Sequence, residues 1–563
     1  MEMRTYRRSF SMGLPMAAVW FLWGAHAFAV AGDPPARVAR LAQIAAQVSL
    51  EPAGTNLWTA AMPNTPLTHG DRLYVNRQGH AELQMGQMAV RVWKYTDVTV
   101  ANLSNDATQL AVAQGSLHVR TFVLRPKDNV EVDTPNGAIT VMQPGDFRLD
   151  VYTSGGGTLV TVDSGEVQIS GPGLAKILGA GECVHLVGSN PIHVLTQPMP
   201  GKDPFDVWSL QRDRAFLSSQ SRQYVNSNTV GFDDLDRYGT WKQTLEYGPV
   251  WYPSNVPAGW SPYSNGRWAW VSPWGWTWVD AEAWGFAPFH YGRWTDLGSR
   301  WGWNPGPTGA APTYSPAMVA FVGGAKFSGE GGSPLAGWFP LGPGEPFYPS
   351  YGCSASCFTE VNLTNLREAH STARHVSASD YFRYYHTQVG FHSIRYANQK
   401  AATIAVPLNE FAAGGTIAPG TVIHPDAQQW MFARVLSHPM VAPTLQSLVP
   451  HLVTAVSVPS ERPPVIVSLK PEITIQPPSA LAEPSPAQSA GEFRLIARTP
   501  PAAAGATFEQ QLPALSQNPG RPLDAGQRNN LAQGRPAGPN NARDFPPEST
   551  ASTNATGRRA GVK

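Results

Sequence analysis

The sequence GRWAWVSPWGWTWVD occupies residues 266–280, and a shorter version of it, GRWTDLGSRWGW, follows at residues 292–303. Each copy begins with Gly-Arg-Trp and continues to Trp-Gly-Trp, and the copies are offset by about 26 residues. Thirteen of the nineteen tryptophans of the chain lie between Trp241 and Trp338, and glycine, proline and tyrosine separate them. Aromatic residues punctuated by turn-forming residues at a fixed period predict a repeated β-hairpin unit.

The tryptophans have two possible uses. As core residues they would fill volume and anchor their indole N–H groups, with Arg267, Arg293 and Arg300 stacked on ring faces. As an exposed platform they would bind a glycan, because the C–H face of a sugar ring lies flat on an indole. The candidate binding residues of such a platform are Trp284, Trp294, Trp303, Arg293, Asp280 and Asp296.

The composition predicts a mainly β protein with more than one domain. A chain of 563 residues exceeds what one hydrophobic core usually organises. Its 53 glycines and 52 prolines favour turns and short strands over helices. The 41 basic and 40 acidic residues nearly cancel and form no long run of one sign, so we expect no nucleic acid partner.

Residues 1–31 resemble an export signal. Arg4, Arg7 and Arg8 precede an apolar stretch over residues 14–30, and Ala-Val-Ala ends at position 31 as a signal peptidase site requires. An uncleaved membrane anchor is the alternative, and the adjacent arginines also hint at twin-arginine export. With cleavage we expect a periplasmic or secreted protein that has no membrane span.

The sequence pattern of residues 36–200 predicts a β domain that contains two copies of one strand-turn-strand unit. Short apolar runs alternate with polar residues and end at glycine, asparagine or aspartate, as half-buried strands do. The runs recur at spacings of 49 and 50 residues. The matched positions are Leu83 with Val132, Val90 with Ile139, Val92 with Val141, and Gly115 with Gly165. Copies of this kind stack and cover each other's apolar faces.

The segments LTHGDRL at residues 67–73, QGSLHV at 114–119 and VDTPNGAI at 132–139 follow one another in this region. In sequence and in order they resemble segments of the FecR-like periplasmic domain. The resemblance implies a solenoid-like or sandwich-like β domain that serves as a sensing or interaction module in envelope signalling. Typical members carry a sigma-factor-binding segment and a membrane helix before this domain, whereas here a predicted signal peptide precedes it.

Within residues 232–365, a series of aromatic motifs runs from WSPY at 260–263 through PWGWTWVD at 273–280 to WFPLGPGE at 338–345. In this series the region is similar to a bacterial family of tryptophan-rich envelope proteins of unknown function. A FecR-like domain commonly comes first in that family, as it does here. The resemblance supports the domain boundaries and implies no mechanism.

The remaining segments carry fewer signals. Residues 201–231 are predicted to be a linker, 366–455 a region of mixed composition, and 456–563 a disordered tail rich in proline and alanine. Cys353 and Cys357 are close enough in sequence to form a disulfide, with free thiols as the alternative. The histidines of the mixed region lack regular ligand spacing, so we expect no metal site; they are His370, His375, His386 and His392.

The sequence favours a binding protein over an enzyme. It has no nucleophile elbow, zinc-protease motif, phosphate loop or dinucleotide fingerprint, so we expect neither catalysis nor a cofactor. The leading hypothesis is a non-catalytic exported envelope protein that binds an envelope protein or a polysaccharide, with a link to envelope sensing. One alternative is an envelope glycan hydrolase that uses Asp280 and Glu282 as its acid pair. A purely structural scaffold is the other.

Overall fold

A computed structural model describes residues 32–153, 156–298, 300–366, 381–383, 385, 395–453, 463–468 and 494–538. The predicted signal peptide and the four histidines of the mixed region lie outside the described residues. The fold is mainly β, as predicted, with 37% strand and 19% helix. Among the described helices, none combines the length and apolar character needed to cross a bilayer.

The first domain contains fifteen strands, which join two short C-terminal strands in one hydrogen-bonded sheet. Its strands are β1 Ala39–Ala45, β2 Val48–Glu51, β3 Thr59–Ala60, β4 Pro66–Leu67, β5 Arg72–Val75, β6 His80–Gln84, β7 Met88–Val92, β8 Asp97–Leu103, β9 Ala107–Thr121, β10 Asn129–Thr134, β11 Gly137–Val151, β12 Thr158–Gly171, β13 Leu174–Gly179, β14 Glu182–Val187 and β15 His193–Gln197.

The long strands of this domain change partners along their length. The first half of β9 pairs with β8 and β10, and its second half pairs with β7 and β11. The change falls at Gly115, where φ is 99° and a Cβ atom would lie 2.3 Å from the Cα of Thr96. Gly165 has the corresponding place in β12 with φ of 83°. The two glycines are 50 residues apart, which is the spacing of the predicted repeat.

Residues 201–231, predicted as a linker, contain a helix that packs on the first domain. Helix α1, Pro204–Ser218, begins with a capping box formed by Asp203 and Asp206. The buried ring of His118 lies 3.0 Å from a carboxylate oxygen of Asp146 on β11 and 2.9 Å from one of Asp206 on α1. Burial opposes the charge of His118, but hydrogen bonds to these two carboxylates outweigh burial and raise its pKa. This segment is therefore a docked element of the fold.

A second ionic cluster joins the same helix to the sheet. Glu82 of β6 lies 2.7 Å from Arg91 of β7 and 2.7 Å from Arg212 of α1. Burial opposes ionisation of Glu82, but the two guanidinium groups outweigh it and lower its pKa to about 2. Burial, together with the neighbouring Asp234, raises the pKa of Asp233 to about 7. Glu82 thus stays ionised although it is buried, because Arg91 and Arg212 face its carboxylate.

Both copies of the Gly-Arg-Trp sequence form β-hairpins, as predicted. In the first hairpin Trp268 pairs with Trp278 across the strands, and in the second Trp294 pairs with Trp303. The first consists of β18 Gly266–Val271 and β19 Gly275–Asp280. The second, β20 Arg293–Asp296 and β21 Trp301–Asn304, joins β16 Gly239–Thr244 and β17 Gly248–Pro253 in a four-stranded sheet.

The region of mixed composition completes the tryptophan-rich domain. A further four-stranded sheet has the order β24-β23-β22-β25, and its strands are β22 Val319–Gly323, β23 Leu335–Pro340, β24 Ile404–Pro407 and β25 Arg434–Leu436. Its outer strands β24 and β25 thus come from residues 366–455. The helices of this half are α2 Leu235–Tyr238, α3 Ala287–His290, α4 Ala355–Leu366, α5 Gln399–Ala402, α6 Leu408–Ala412, α7 Ala427–Phe432 and α8 Leu445–Leu448.

Part of the predicted disordered tail is folded. Strands β26 Val465–Val467 and β27 Leu495–Ala497 pair in parallel and join the sheet of the first domain. Helices α9 Phe508–Gln517 and α10 Ala525–Ala532 follow, and each begins with a capping box. The prediction of disorder is therefore wrong for residues 494–538. Apart from residues 463–468, the rest of the tail lies outside the described residues.

Candidate functional site

The predicted aromatic platform is buried. The exposed fractions of Trp284, Trp294 and Trp303 are 2%, 0% and 0%. The indole N–H of Trp294 donates to the carbonyl of Pro288 at 2.8 Å, and that of Trp303 donates to the carbonyl of Tyr291 at 2.9 Å. The prediction that these three rings offer an accessible sugar-binding surface is wrong, because they fill the core of the tryptophan-rich domain.

Asp280 and Glu282 belong to a structural network. The buried carboxylate of Asp280 accepts hydrogen bonds from Trp278 Nε1 at 2.8 Å and from the Glu282 N–H at 2.9 Å. Burial raises its pKa well above the ordinary range. The backbone carbonyls of both residues accept hydrogen bonds from Asn64 Nδ2 of the first domain, at 3.1 and 2.7 Å. The pair therefore helps to join the two domains.

The other predicted binding residues are also separated from any open surface, with one exception. Arg293 is buried and donates to the carbonyl of Glu345 at 3.0 Å and to Asn362 Oδ1 at 3.1 Å. Burial lowers its pKa to about 10. Asp296, at the end of β20, is exposed. Of the arginines predicted to stack on rings, Arg300 does so, 5.3 Å from the ring centre of Tyr252.

Cys353 and Cys357 are joined by a disulfide just before and within α4. Cys183 is buried in β14 with a free thiol, and its sulfur lies 3.4 Å from the hydroxyl of Thr161. No group of three or more potential metal ligands occurs among the residues that the structure describes.

A groove between the first domain, the tryptophan-rich domain and the C-terminal segment is the best candidate site. Its volume is 780 Å3. One wall consists of residues 99–101 and neighbouring residues of the first domain, and another is the turn of the β18–β19 hairpin at residues 272–274. The C-terminal segment contributes residues 501–507. Clefts where several elements meet are the usual places for ligand binding.

Two arginines give the groove its charge. Arg37 Nε and Nη2 donate to the carbonyls of Ser104 and Ala107 at 2.6 and 3.0 Å, and Arg528 Nη1 donates to the carbonyl of Leu523. Burial lowers the pKa of each guanidinium group. Within the described part of the chain, no carboxylate comes within 4.0 Å of either one. Asp128 and Asp106 near Arg37, and Asp524 near Arg528, oppose part of this decrease in pKa. None of the three carboxylates forms an ion pair with its arginine, so both guanidinium groups can still bind an anionic ligand.

The other titratable groups of the groove are engaged. Arg72 binds Asp97 at 2.7 Å and Glu51 at 3.4 Å in a buried cluster. The two ring nitrogens of His69 lie 3.0 Å from the carbonyl oxygens of Ala101 and Ala503. Neither group is placed as a free acid or base. Arg37 and Arg528 have no recognisable signal in the sequence, because only the fold brings these distant parts of the chain together.

Residues 232–345 match the model of DUF6600, a family of unknown function. This match falls within the predicted tryptophan-rich region. No curated protein matches the chain. Two crystal structures of a candidate anti-sigma factor from Parabacteroides distasonis are 16% and 17% identical to it, each with a TM-score of 0.21. The alignments cover 26% of this chain and 64% and 63% of the other protein, which is less than two thirds of its length. At that TM-score the similarity supports no conclusion about function.

Proposed function

We propose that this protein is a non-catalytic, exported protein of the cell envelope that binds an extended, anionic partner in the groove. The partner is an envelope protein or a polysaccharide. The observation that carries the proposal is the groove of 780 Å3 with Arg37 and Arg528 on its lining. A carboxylate or sulfate group would give these guanidinium groups the ion pairs that they lack within the described chain.

The hydrogen bonds of the carboxylates support a non-catalytic role. A glycosidase acid must reach the leaving oxygen of its substrate. The Asp280 carboxylate is instead buried and accepts hydrogen bonds from Trp278 Nε1 and from the Glu282 N–H. The Glu282 carboxylate accepts a hydrogen bond from Asn265 Nδ2 at 3.0 Å. The hydrolase alternative therefore has no support from the surroundings of its acid pair.

Three observations support export to the envelope. Residues 1–31 have the pattern of a signal peptide, and residues 67–139 resemble the FecR-like periplasmic domain. The disulfide between Cys353 and Cys357 adds to these, because disulfides persist in oxidising compartments. A link to envelope sensing follows from the FecR-like resemblance alone.

Binding of polyanions by the purified full chain tests the proposal. We expect calorimetry to detect binding of polygalacturonate or poly-L-glutamate and none of neutral dextran. In a double variant, Arg37→Gln with Arg528→Gln, affinity should fall by about tenfold or more, because hydrogen bonds to charged groups contribute roughly 1.5–3 kcal/mol each. Arg77→Gln, at an exposed arginine away from the groove, is the matched control and should bind as the wild type does.

Two results would contradict the proposal. If neither polyanion binds, or if the double variant binds as tightly as the Arg77→Gln control, then the groove is not the binding site. The structural scaffold would then be the better account. Release of reducing sugar from a glycan, lost in Glu282→Gln, would restore the hydrolase alternative.

A further inference from the structure

Three neighbouring strands of the first domain carry a patch of polar side chains on the face opposite the apolar core. In β10, Val132 belongs to the core, so Glu131 and Asp133 on either side of it lie on the opposite face. Glu131 pairs with Gln109 of β9 on one side and with Thr140 of β11 on the other. Paired residues share a face of a sheet, so these four side chains are neighbours and form one polar site.

The C-terminal segment covers this polar site. Glu131 and Asp133 are both 0% exposed, and Gln109 and Thr140 are also buried. Glu131 Oε1 accepts hydrogen bonds from the N–H groups of Arg498 at 2.7 Å and Thr499 at 2.8 Å. Glu131 Oε2 accepts one from the hydroxyl of Thr499 at 2.6 Å. The polar site is therefore enclosed between the sheet and a docked part of the same chain.

Three oxygen atoms of the polar site have no hydrogen-bond partner within the described part of the chain. They are Gln109 Oε1, Asp133 Oδ1 and Thr140 Oγ1. Buried polar atoms are normally paired, because an unpaired one has lost its contact with water and gained nothing in return. Three such oxygens beside one buried carboxyl group indicate a ligand that oxygen atoms can bind.

The two carboxyl groups of the polar site lack a basic partner. Among the residues that the structure describes, no basic side-chain nitrogen comes within 4.0 Å of Glu131 or Asp133. The guanidinium group of Arg498 donates instead to Gln168 Oε1, at 2.9 Å. Burial, followed by the charge of Glu131, raises the pKa of Asp133 well above its ordinary range. A cation between the two groups would relieve this repulsion.

We propose that the polar site binds a calcium ion. The carboxylates of Glu131 and Asp133 supply the negative charge, and Gln109 Oε1 and Thr140 Oγ1 supply neutral oxygen ligands. Carboxylate and amide oxygens are typical ligands of Ca²⁺, and a hydroxyl oxygen is a hard ligand of the same kind. Mg²⁺ demands near-ideal octahedral geometry and keeps several waters, so a site enclosed by protein groups suits Ca²⁺ better.

The small number of charged ligands sets the expected affinity. Two carboxyl groups with two neutral ligands differ from a group of three or more histidine, cysteine or acidic side chains, which the described residues do not contain. We therefore expect a dissociation constant of about 0.1–1 mM, as extracellular calcium modules have. Because Glu131 also holds the backbone of Arg498 and Thr499, the ion would strengthen the attachment of the C-terminal segment.

Calorimetric titration of the full chain with CaCl₂, after a chelator has removed bound metal, tests the inference. We expect one saturable site with a dissociation constant of about 0.1–1 mM. In Asp133→Asn the affinity should fall by about tenfold or more, because half of the ligand charge is lost while the shape is kept. Asp296→Asn removes an exposed carboxylate from the other domain and is the matched control, which should bind as the wild type does.

Thr140→Val is a second variant, and it remains informative if Asp133→Asn does not fold. Valine has the shape of threonine and lacks only the hydroxyl, whose oxygen has no hydrogen-bond partner in the described chain. Urea unfolding without Ca²⁺ should therefore be unchanged or shifted to higher urea concentration. The affinity for Ca²⁺ should nevertheless fall by about threefold or more, because one ligand is lost. A purely structural role of Thr140 predicts no change in affinity.

Three results would overturn the inference. They are no saturable Ca²⁺ binding up to about 10 mM, equal affinity for MgCl₂, and either folded variant binding Ca²⁺ as tightly as Asp296→Asn does. The groove is tested separately, because the double variant Arg37→Gln with Arg528→Gln should bind Ca²⁺ as the wild type does. Polyanion binding without Ca²⁺ binding would remove this inference and leave the proposed function standing. Ca²⁺ binding without polyanion binding would do the reverse.

Discussion

Replacing Trp294 with alanine is expected to lower the free energy of unfolding by about 3–5 kcal/mol. The Trp294 ring is fully buried, and ring centres of Trp260 and Phe289 both lie 5.7 Å from its own. Alanine would leave a cavity there and would remove the indole donor of the Pro288 carbonyl. Urea unfolding followed by circular dichroism measures the loss.

The control for this prediction is Trp301→Ala. Trp301 begins β21 in the same hairpin and is only half-buried, so less apolar surface is lost and a smaller decrease is expected. If Trp294→Ala left the unfolding curve unchanged and instead abolished polysaccharide binding, Trp294 would be a binding residue after all. The buried position of the ring predicts the opposite pattern.

Replacing Glu82 with glutamine is expected to lower the free energy of unfolding by about 3–5 kcal/mol. Glutamine has the same shape but removes the carboxylate shared by Arg91 and Arg212, which are then left in a buried place with only Asp213 and Asp233 as partners. An uncompensated buried charge is much more costly than an exposed one. The exposed Glu410 provides the control, because Glu410→Gln removes the same charge in contact with solvent. Its unfolding curve should match that of the wild type.

The pH dependence gives this prediction a second readout. The pKa of Glu82 falls from its ordinary value of 4.5 in the unfolded chain to about 2 in the folded protein. The folded protein therefore binds fewer protons than the unfolded chain between these values. The stabilisation is complete above pH 4.5 and is lost as the pH falls towards 2. The Glu82→Gln variant should lack this part of the acid dependence, and an unchanged acid profile would contradict the ionised state of Glu82.

The hairpins could be predicted from sequence because their cause is local. Gly-Arg-Trp followed by Trp-Gly-Trp places turn residues between rings that pair across two strands, and both copies fold accordingly. The accessibility of those rings could not be predicted, because remote segments cover them. The indole of Trp276, for example, donates to the carbonyl of Val441, which is 165 residues away.

The tail shows where composition misleads. Its few apolar residues cannot form a core of their own, which is why the sequence predicts disorder. Ile496 and Leu495 are nevertheless buried, because the first domain provides a folded surface for them. The sequence did contain local signals, since Thr507 with Gln510 and Asp524 with Gln527 are capping boxes. Arg37 and Arg528 had no such signal, because they line the same groove only when the C-terminal segment is bound to the first domain.

Hydrogen exchange of the full chain tests most directly whether the C-terminal segment is bound to the first domain. We expect the amides of Arg498, Thr499 and Ala502 to exchange at least about a hundredfold more slowly than in the free peptide of residues 494–507, because Glu131 and Ala101 accept their hydrogen bonds. Exchange of these amides at the rate of the free peptide would show that the segment is not bound to the first domain.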